Sequence, residues 1–149
     1  MIVYRVCHRT HAQDLTGEGA RLSGGRWNSA GNPMIYAARS PALALLEVLA
    51  HATILPSNQV LVTLRLPSRV HIGKLGINKL PAGWNSLPSS ATSQQIGDLF
   101  LREGQFLAIR VPSVILPEEE NILINPRHAS AKEIVIVSIE NLPIDPRLK

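Results

Sequence analysis

The feature that most limits how this chain folds is an aliphatic run with one carboxylate inside it. From Ala42 to Ala50 every side chain is Ala, Leu or Val except Glu47. Ser40-Pro41 precedes the run. A serine hydroxyl there accepts from a free N–H of the first helical turn, and proline fits the first helical position. The pattern predicts a helix from Ser40-Pro41 to about Leu55, stopping before Pro56. A helix apolar nearly all round is expected to be buried rather than to lie on a surface. Leu43, Ala50 and Ile54 fall at helical offsets that share the face of Glu47. A carboxylate on such a face is costly unless a cation pairs with it or it lines a cavity. The fold must therefore supply Glu47 with either a buried arginine or a site. His51, one turn on, either orients that carboxylate or is a satisfied structural residue.

Around this helix the chain reads as short strands. Ile2 to Val6, Met34 to Ala38, Gln59 to Leu66, Phe106 to Val111, Asn121 to Ile124 and Ile134 to Ile139 are the expected strands. In the third, Val60, Val62, Leu64 and Leu66 fall on one side. A second helix is expected from a cap at Ser89 or Ser90 to about Glu103, with Ile96, Leu99 and Phe100 as its stripe and Gly104 closing it. Residues 73–88 read as a long connection, and the tail from Pro143 to Lys149 as loose. Roughly six strands with two or three helices, mostly out of βαβ alternation, predict an α+β domain. Its length of 149 residues and 45% apolar content suit one domain over residues 1–149 with a real core. No spaced glycine fingerprint lies between a strand and a helix, so a Rossmann fold is not indicated.

Composition narrows the function classes. No run of 18 apolar residues occurs, and the first residues lack a signal-peptide layout. The lone Cys7 agrees with a reducing compartment, so a cytoplasmic protein is expected. The formal charge of +4 favours anionic ligands or an acidic partner. Basic residues are scattered and aromatic ones make up only 4%, which argues against direct nucleic-acid binding. His8 and His11 have a His-x-x-His spacing, but no carboxylate or cysteine cluster supports a metal site.

Five glycines in the stretch from Leu15 to Pro33 imply tight turns and close backbone approach. Within it, Gly24-Gly25-Arg26-Trp27-Asn28 places an arginine fork after two glycines. That arrangement suits an anion such as a phosphate, or is an ordinary loop. Trp27 is either core or a loop anchor, and Asn28 is ligand-facing or turn chemistry. Tyr36, in an expected strand, either stacks on a flat heterocycle or packs in the core. Arg5 is a second anion contact or the structural partner of Glu47. Ser113 follows an apolar strand without a Gly-x-Ser-x-Gly elbow, which weakens a serine-hydrolase reading and leaves a hydrogen bond to a ligand. Asn121 and Asn125-Pro126 are turn residues or present amides to a ligand.

Taken together, these motifs resemble the RES domain family over nearly the whole chain. The match runs through Tyr4-Arg5, Gly17-Glu-Gly-Ala20, Gly24-Gly-Arg-Trp-Asn28, Tyr36, Ala44-Leu-Leu-Glu47, Val111-Pro-Ser113, Asn121 and Asn125-Pro-Arg-His128. The resemblance implies a fold like that of ADP-ribosyltransferase toxins, a mixed β core flanked by helices. It implies a bacterial toxin that consumes NAD⁺ at the nicotinamide–ribose bond, by hydrolysis or phosphorolysis, or transfers ADP-ribose to a protein. Arg26, Glu47, Tyr36 and Ser113 map to catalytic positions, and Arg5, Gly25, Trp27, Asn28 and Asn121 to NAD⁺ contacts, with no metal. Arg26, with Arg5, would hold the diphosphate. Tyr36 would stack on nicotinamide or ribose, Glu47 would face the ribose, and Ser113 would bind a phosphate or the carboxamide. The implied partner is a helix-turn-helix antitoxin that blocks the site, represses the shared operon and is the toxin's only link to nucleic acid. The resemblance leaves room for a homodimer within that complex. Two other classes remain: a nucleotide-binding module without turnover, and a structural partner protein.

Overall fold

The computed structural model describes residues 1–149. Its strands are β1 (Ile2–His8), β2 (Ile35–Ala38), β3 (Gln59–Arg65), β4 (Gly73–Lys74), β5 (Ala108–Pro112), β6 (Glu120–Ile124) and β7 (Val135–Asn141). Its helices are α1 (Glu18–Ser23), α2 (Pro41–His51) and α3 (Ala91–Glu103), joined by short 3-10 turns. The strands form one sheet in the order β4-β5-β6-β2-β1-β3-β7. Only β4 and β5 pair in parallel; the other neighbours are antiparallel. The α+β expectation of a mixed sheet flanked by helices holds. No helix is long and apolar enough to cross a membrane.

The period-two pattern of the strands makes the layers. Val60, Val62 and Leu64 point to one face, where Val3, Ile35, Ala37, Ile122 and Ile124 join them in the main core. Alternate residues point to the other face. There Ile109, Val111 and Leu123 pack with Trp27, Met34, Trp84 and Phe100 of α3, while Val6 and Ala38 pack with Leu43 and Ala44 of α2. Two helices therefore stand on one face with a gap between them.

Strand pairing opens that gap. β1 pairs with β3 without a break from Ile2–Arg65 to His8–Gln59, and β2 with β6 from Ile35–Ile124 to Ala38–Asn121. Between β1 and β2 only Tyr4 and Ala38 are in register. The sheet parts beside that pair, and residues 4–6 and 36–38 border a cavity there.

Several expectations need correction. The helix predicted to reach Leu55 ends at His51, because Ala52 turns to an extended conformation at φ −89° and ψ 137°. Thr53 and Ile54 are β-branched and weak helix formers, and Pro56 disfavours a helical Leu55. Ile54, at 76% exposure, finds nothing to pack against and so shares no helix face with Glu47. Burial on α2 is limited to Leu43, Ala44 and Leu49. The all-round burial expected of this helix does not hold: Leu45, Leu46 and Val48 are only half-buried against the cluster of Val6, Ala38, Leu43 and Ala44. Ala42 and Ala50 are exposed, and Val48 with Ala44 lines a cavity. Seven strands replace the expected six, since Gly73–Lys74 adds a short strand beside β5 inside the supposed connection. Glycine-rich residues expected to be turns contain α1, entered through Gly17 at φ 72°. A Cβ at Gly17 would also lie 2.7 Å from the Met34 backbone nitrogen.

Candidate active site

The cavity has a volume of about 840 Å³. That is ample for a dinucleotide-sized ligand, since small-molecule sites commonly span about 300–1,000 Å³. Ala44, Glu47, Val48 and His51 line one side of it, at the three- and four-residue spacing of a helix face. Ser40 caps that helix by accepting the Leu43 N–H at 3.1 Å.

Glu47 has no salt bridge. Its Oε1 accepts two hydrogen bonds, from the Ser113 hydroxyl at 2.8 Å and from Asn121 Nδ2 at 2.6 Å. Oε2 has no protein donor, and Glu47 borders the cavity. Of the two sequence alternatives, the carboxylate thus lines a cavity and is not half of an ion pair. Charge-assisted bonds on one oxygen fix the rotamer and leave the other oxygen for a ligand. Sheet register brings the two donors together: Asn121 on β6 sits between Ala38 of β2 and Val111 of β5. Ser113 lies one residue past the end of β5.

The Ser113 hydroxyl has no capacity for substrate. It is fully buried and donates to Glu47, and its oxygen accepts the N–H groups of Ile115 at 3.0 Å and Leu116 at 3.2 Å. The expectation that it binds a phosphate or carboxamide is corrected: Ser113 positions Glu47. His51 is exposed at the mouth and makes no hydrogen bond to Glu47.

The glycine-rich loop builds the other end. Gly25 must lack a side chain, because a Cβ would stand 2.7 Å from the Tyr36 hydroxyl and 3.0 Å from Asn28 Oδ1. The Tyr36 hydroxyl accepts the Trp27 N–H at 3.1 Å and donates to Asn28 Oδ1 at 2.6 Å. Asn28 is fully buried and donates to the carbonyls of Ala20 and Asn32. Trp27 is also buried and stacks on Trp84 with ring centroids 6.2 Å apart. Asn28, expected to touch ligand, instead sets the loop's shape, while Trp27 both packs in the core and borders the cavity. Tyr36 keeps its ring at the cavity edge, and burial pushes its phenol well above the usual tyrosine range.

With that loop locked, Arg26 borders the cavity. Its Nη1 donates to the carbonyls of Trp84 and Ser86, each at 3.0 Å. Nε and Nη2 make no bond to the protein. Burial lowers its pKa while the nearby Glu47 charge works against the shift, and the guanidinium stays cationic. Arg5 borders the cavity but does not pair with Glu47, and its guanidinium is occupied by the backbone. It donates to the carbonyls of Asp14 at 2.8 Å and His11 at 2.6 Å, bracing the turn after β1.

Sequence reading missed the residues that hold this loop down. Asp98 on α3 accepts both the N–H and the hydroxyl of Ser29, at 3.0 and 2.6 Å. Gln94 donates to the Gly25 carbonyl at 3.1 Å. Gly97 lets α3 touch the loop, since a Cβ there would fall 1.5 Å from the Trp27 carbonyl oxygen. A second tryptophan, with Pro81 and Pro88 on either side of it, was the available signal for the Trp84–Ser86 contact. No group of three or more His, Cys, Asp and Glu side chains could hold a metal ion.

Fold and site together define an α+β protein with a carboxylate and a guanidinium facing one deep cleft between two helices. Its sequence matches the RES domain over residues 2–145, and the chain belongs to that family. It is 40% identical over 143 residues to the Prs ADP-ribosylating toxin of Sphingobium sp. (strain YBL2), covering 92% of this chain and 88% of the relative. It is 38% identical to Toxin Res of Yersinia enterocolitica, with 100% of both chains covered. Among solved structures it resembles a chain of the M. tuberculosis MbcT–MbcA toxin–antitoxin complex. The TM-score is 0.77 at 20% identity, over 99% of this chain and 85% of that one. This last likeness concerns the fold.

Proposed function

We propose that this chain is a bacterial toxin that acts in the cytoplasm by breaking the nicotinamide–ribose bond of NAD⁺. The observation that carries the reading is Glu47, held through Oε1 alone by Ser113 and Asn121, with Oε2 free of protein donors, on the cavity that Arg26 also borders. NAD⁺ has an anionic diphosphate for the free edge of Arg26, flat rings for Tyr36, and a sugar whose hydroxyl Glu47 can bind. The C1′–N bond breaks with both electrons going to nicotinamide, which leaves neutral and needs no acid. Positive charge builds on the ribose, and the fixed Glu47 carboxylate stabilises it. Water or inorganic phosphate then bonds to C1′ and the attacking oxygen loses a proton.

A second reading is transfer of ADP-ribose to a protein side chain, favoured by the name of the Sphingobium relative. An antitoxin with a helix-turn-helix would cover the cavity. The basic chain fits an acidic inhibitory segment, and opposite charge would speed association at low salt.

The test is incubation of purified protein with NAD⁺, with and without phosphate and with a bacterial protein extract, followed by mass identification of products. Free nicotinamide with ADP-ribose indicates hydrolysis, and ADP-ribose 1″-phosphate indicates phosphorolysis. A modified protein indicates transfer. No nicotinamide release in any arm leaves a nucleotide-binding module.

A further inference from the structure

Leu87, Pro88 and Ser89 form part of the cavity wall, at the tip of a segment over residues 81–90 with little regular support. That segment's own backbone bonds are local turns, Trp84 N–H to Pro81 at 3.3 Å and Ser86 N–H to Gly83 at 3.2 Å. Leu87, Pro88 and Ser89 border the cavity and are exposed. Leu87 is 81% exposed, more than any other large aliphatic side chain here. Segments with few buried contacts and little hydrogen bonding open most readily.

Trp84, stacked on Trp27, and Ser90, whose hydroxyl donates to the Gly83 carbonyl at 3.1 Å, hold the base of this wall. Its only tie to a cavity cation is Arg26. Both Nη1 hydrogens go to wall carbonyls, leaving the Nε–H and both Nη2 hydrogens for another acceptor. The guanidinium is rigid and planar, so an anion on its free edge and the wall on its other edge stand in fixed relation.

We propose that Arg26 is the latch of a substrate-ordered wall, and that Leu87 at its tip is a specificity-determining contact for a flat apolar part of the substrate. The proposal rests on the NAD⁺ reading, in which the anion is the diphosphate and the apolar part is a heterocycle. Diphosphate on the free edge holds Arg26, Arg26 holds the Trp84 and Ser86 carbonyls, and these set Leu87 over the ligand. Coupling runs both ways: ordering the wall raises affinity, and binding orders the wall.

Hydrogen exchange of the full chain, read at the amides of residues 82–90, tests this together with steady-state kinetics. In a Glu47→Gln background, NAD⁺ is expected to slow exchange there at least about threefold. Without ligand, Arg26→Lys is expected to speed it by a similar factor of about three, because the shorter, flexible lysine chain does not hold a nitrogen rigidly at the Nη1 position that meets both carbonyls. Leu87→Ser is expected to raise KM about fivefold with kcat within about twofold, and Leu87→Met to restore KM. Calorimetry separates the outcomes. If NAD⁺ binds while wall exchange and the KM of Leu87→Ser stay unchanged, the wall proposal falls and the NAD⁺ reading stands. Unchanged ligand-free exchange in a folded Arg26→Lys protein removes the latch. If NAD⁺ does not bind at all, both fall.

Discussion

Glu47 stands on an 11-residue helix, and Arg26 stands on a loop. They border one cavity and are held in opposite ways. Two strand-borne side chains fix one oxygen of Glu47, and their positions follow from sheet register. Arg26 is fixed by backbone carbonyls of a second loop, 58 and 60 residues away. The carboxylate end is preorganised by regular structure. The guanidinium end depends on loops that buried Tyr36, Asn28 and α3 hold in place. A charge that must stabilise a transition state gains from a rigid frame, and a charge that grips a ligand can tolerate a moving one.

Changes that loosen one end and spare the other would break or sharpen this contrast. The largest effect is expected from Gly97→Ala. Its Cβ would overlap the Trp27 carbonyl, with no flexible side chain to yield. Overpacking of this kind costs about 1–3 kcal/mol or more, so a clear fall in unfolding temperature and loss of NAD⁺ affinity are expected. A calorimetric scan at wild-type temperature would show instead that α3 does not brace the loop.

Ser113→Ala should act on the other end. It removes one of two donors to Glu47 Oε1 and the acceptor that the N–H groups of Ile115 and Leu116 share. A loss of about 1–3 kcal/mol in stability is expected, with kcat reduced more than KM is changed. If KM alone rises, Ser113 is a ligand contact after all.

Arg26→Lys keeps the charge and loses the fork. NAD⁺ binding to a Glu47→Gln background should weaken about fivefold, roughly 1 kcal/mol, by calorimetric titration. Unchanged affinity would place Arg26 outside the site.

The same contrast decides what the sequence could disclose. Helix α2 and the importance of Glu47 were legible because a cap, a proline and an aliphatic run are local signals. The RES motifs marked Arg26 and Tyr36. What fixes them was not legible. Ser113 and Asn121 reach Glu47 across 66 and 74 residues, and only sheet register brings them together. Asn28 reads as a ligand contact in the sequence because conspicuous residues in a glycine-rich loop look alike whether they face inward or outward. Arg5 could not be assigned because its acceptors are backbone carbonyls, which carry no side-chain signature. The end of α2 at His51 was missed because apolar pattern continued past the point where packing stopped.

A smaller effect is expected from pH. Burial raises the pKa of Tyr36 in the fold, so its neutral form is preferred there. A raised folded value means that its contribution is complete below the unfolded pKa of about 10 and is lost as pH rises towards the folded value. Denaturant melts of the wild type should weaken above about pH 10, and Tyr36→Phe should show a flatter dependence from a lower starting stability. Equal slopes would mean that the phenol titrates freely.

The most direct test of the account is nicotinamide release from NAD⁺ by the wild type and by Glu47→Gln, with affinity measured on both. A glutamine can accept the Ser113 and Asn121 bonds through its own oxygen, so the fold and NAD⁺ binding should persist. Its amide nitrogen replaces Oε2 and carries no negative charge. Release is expected to fall at least tenfold, a barrier increase of about 1.4 kcal/mol, with binding changed by less than about threefold. Near-normal release by a folded Glu47→Gln protein would contradict the central claim that this fixed carboxylate drives cleavage.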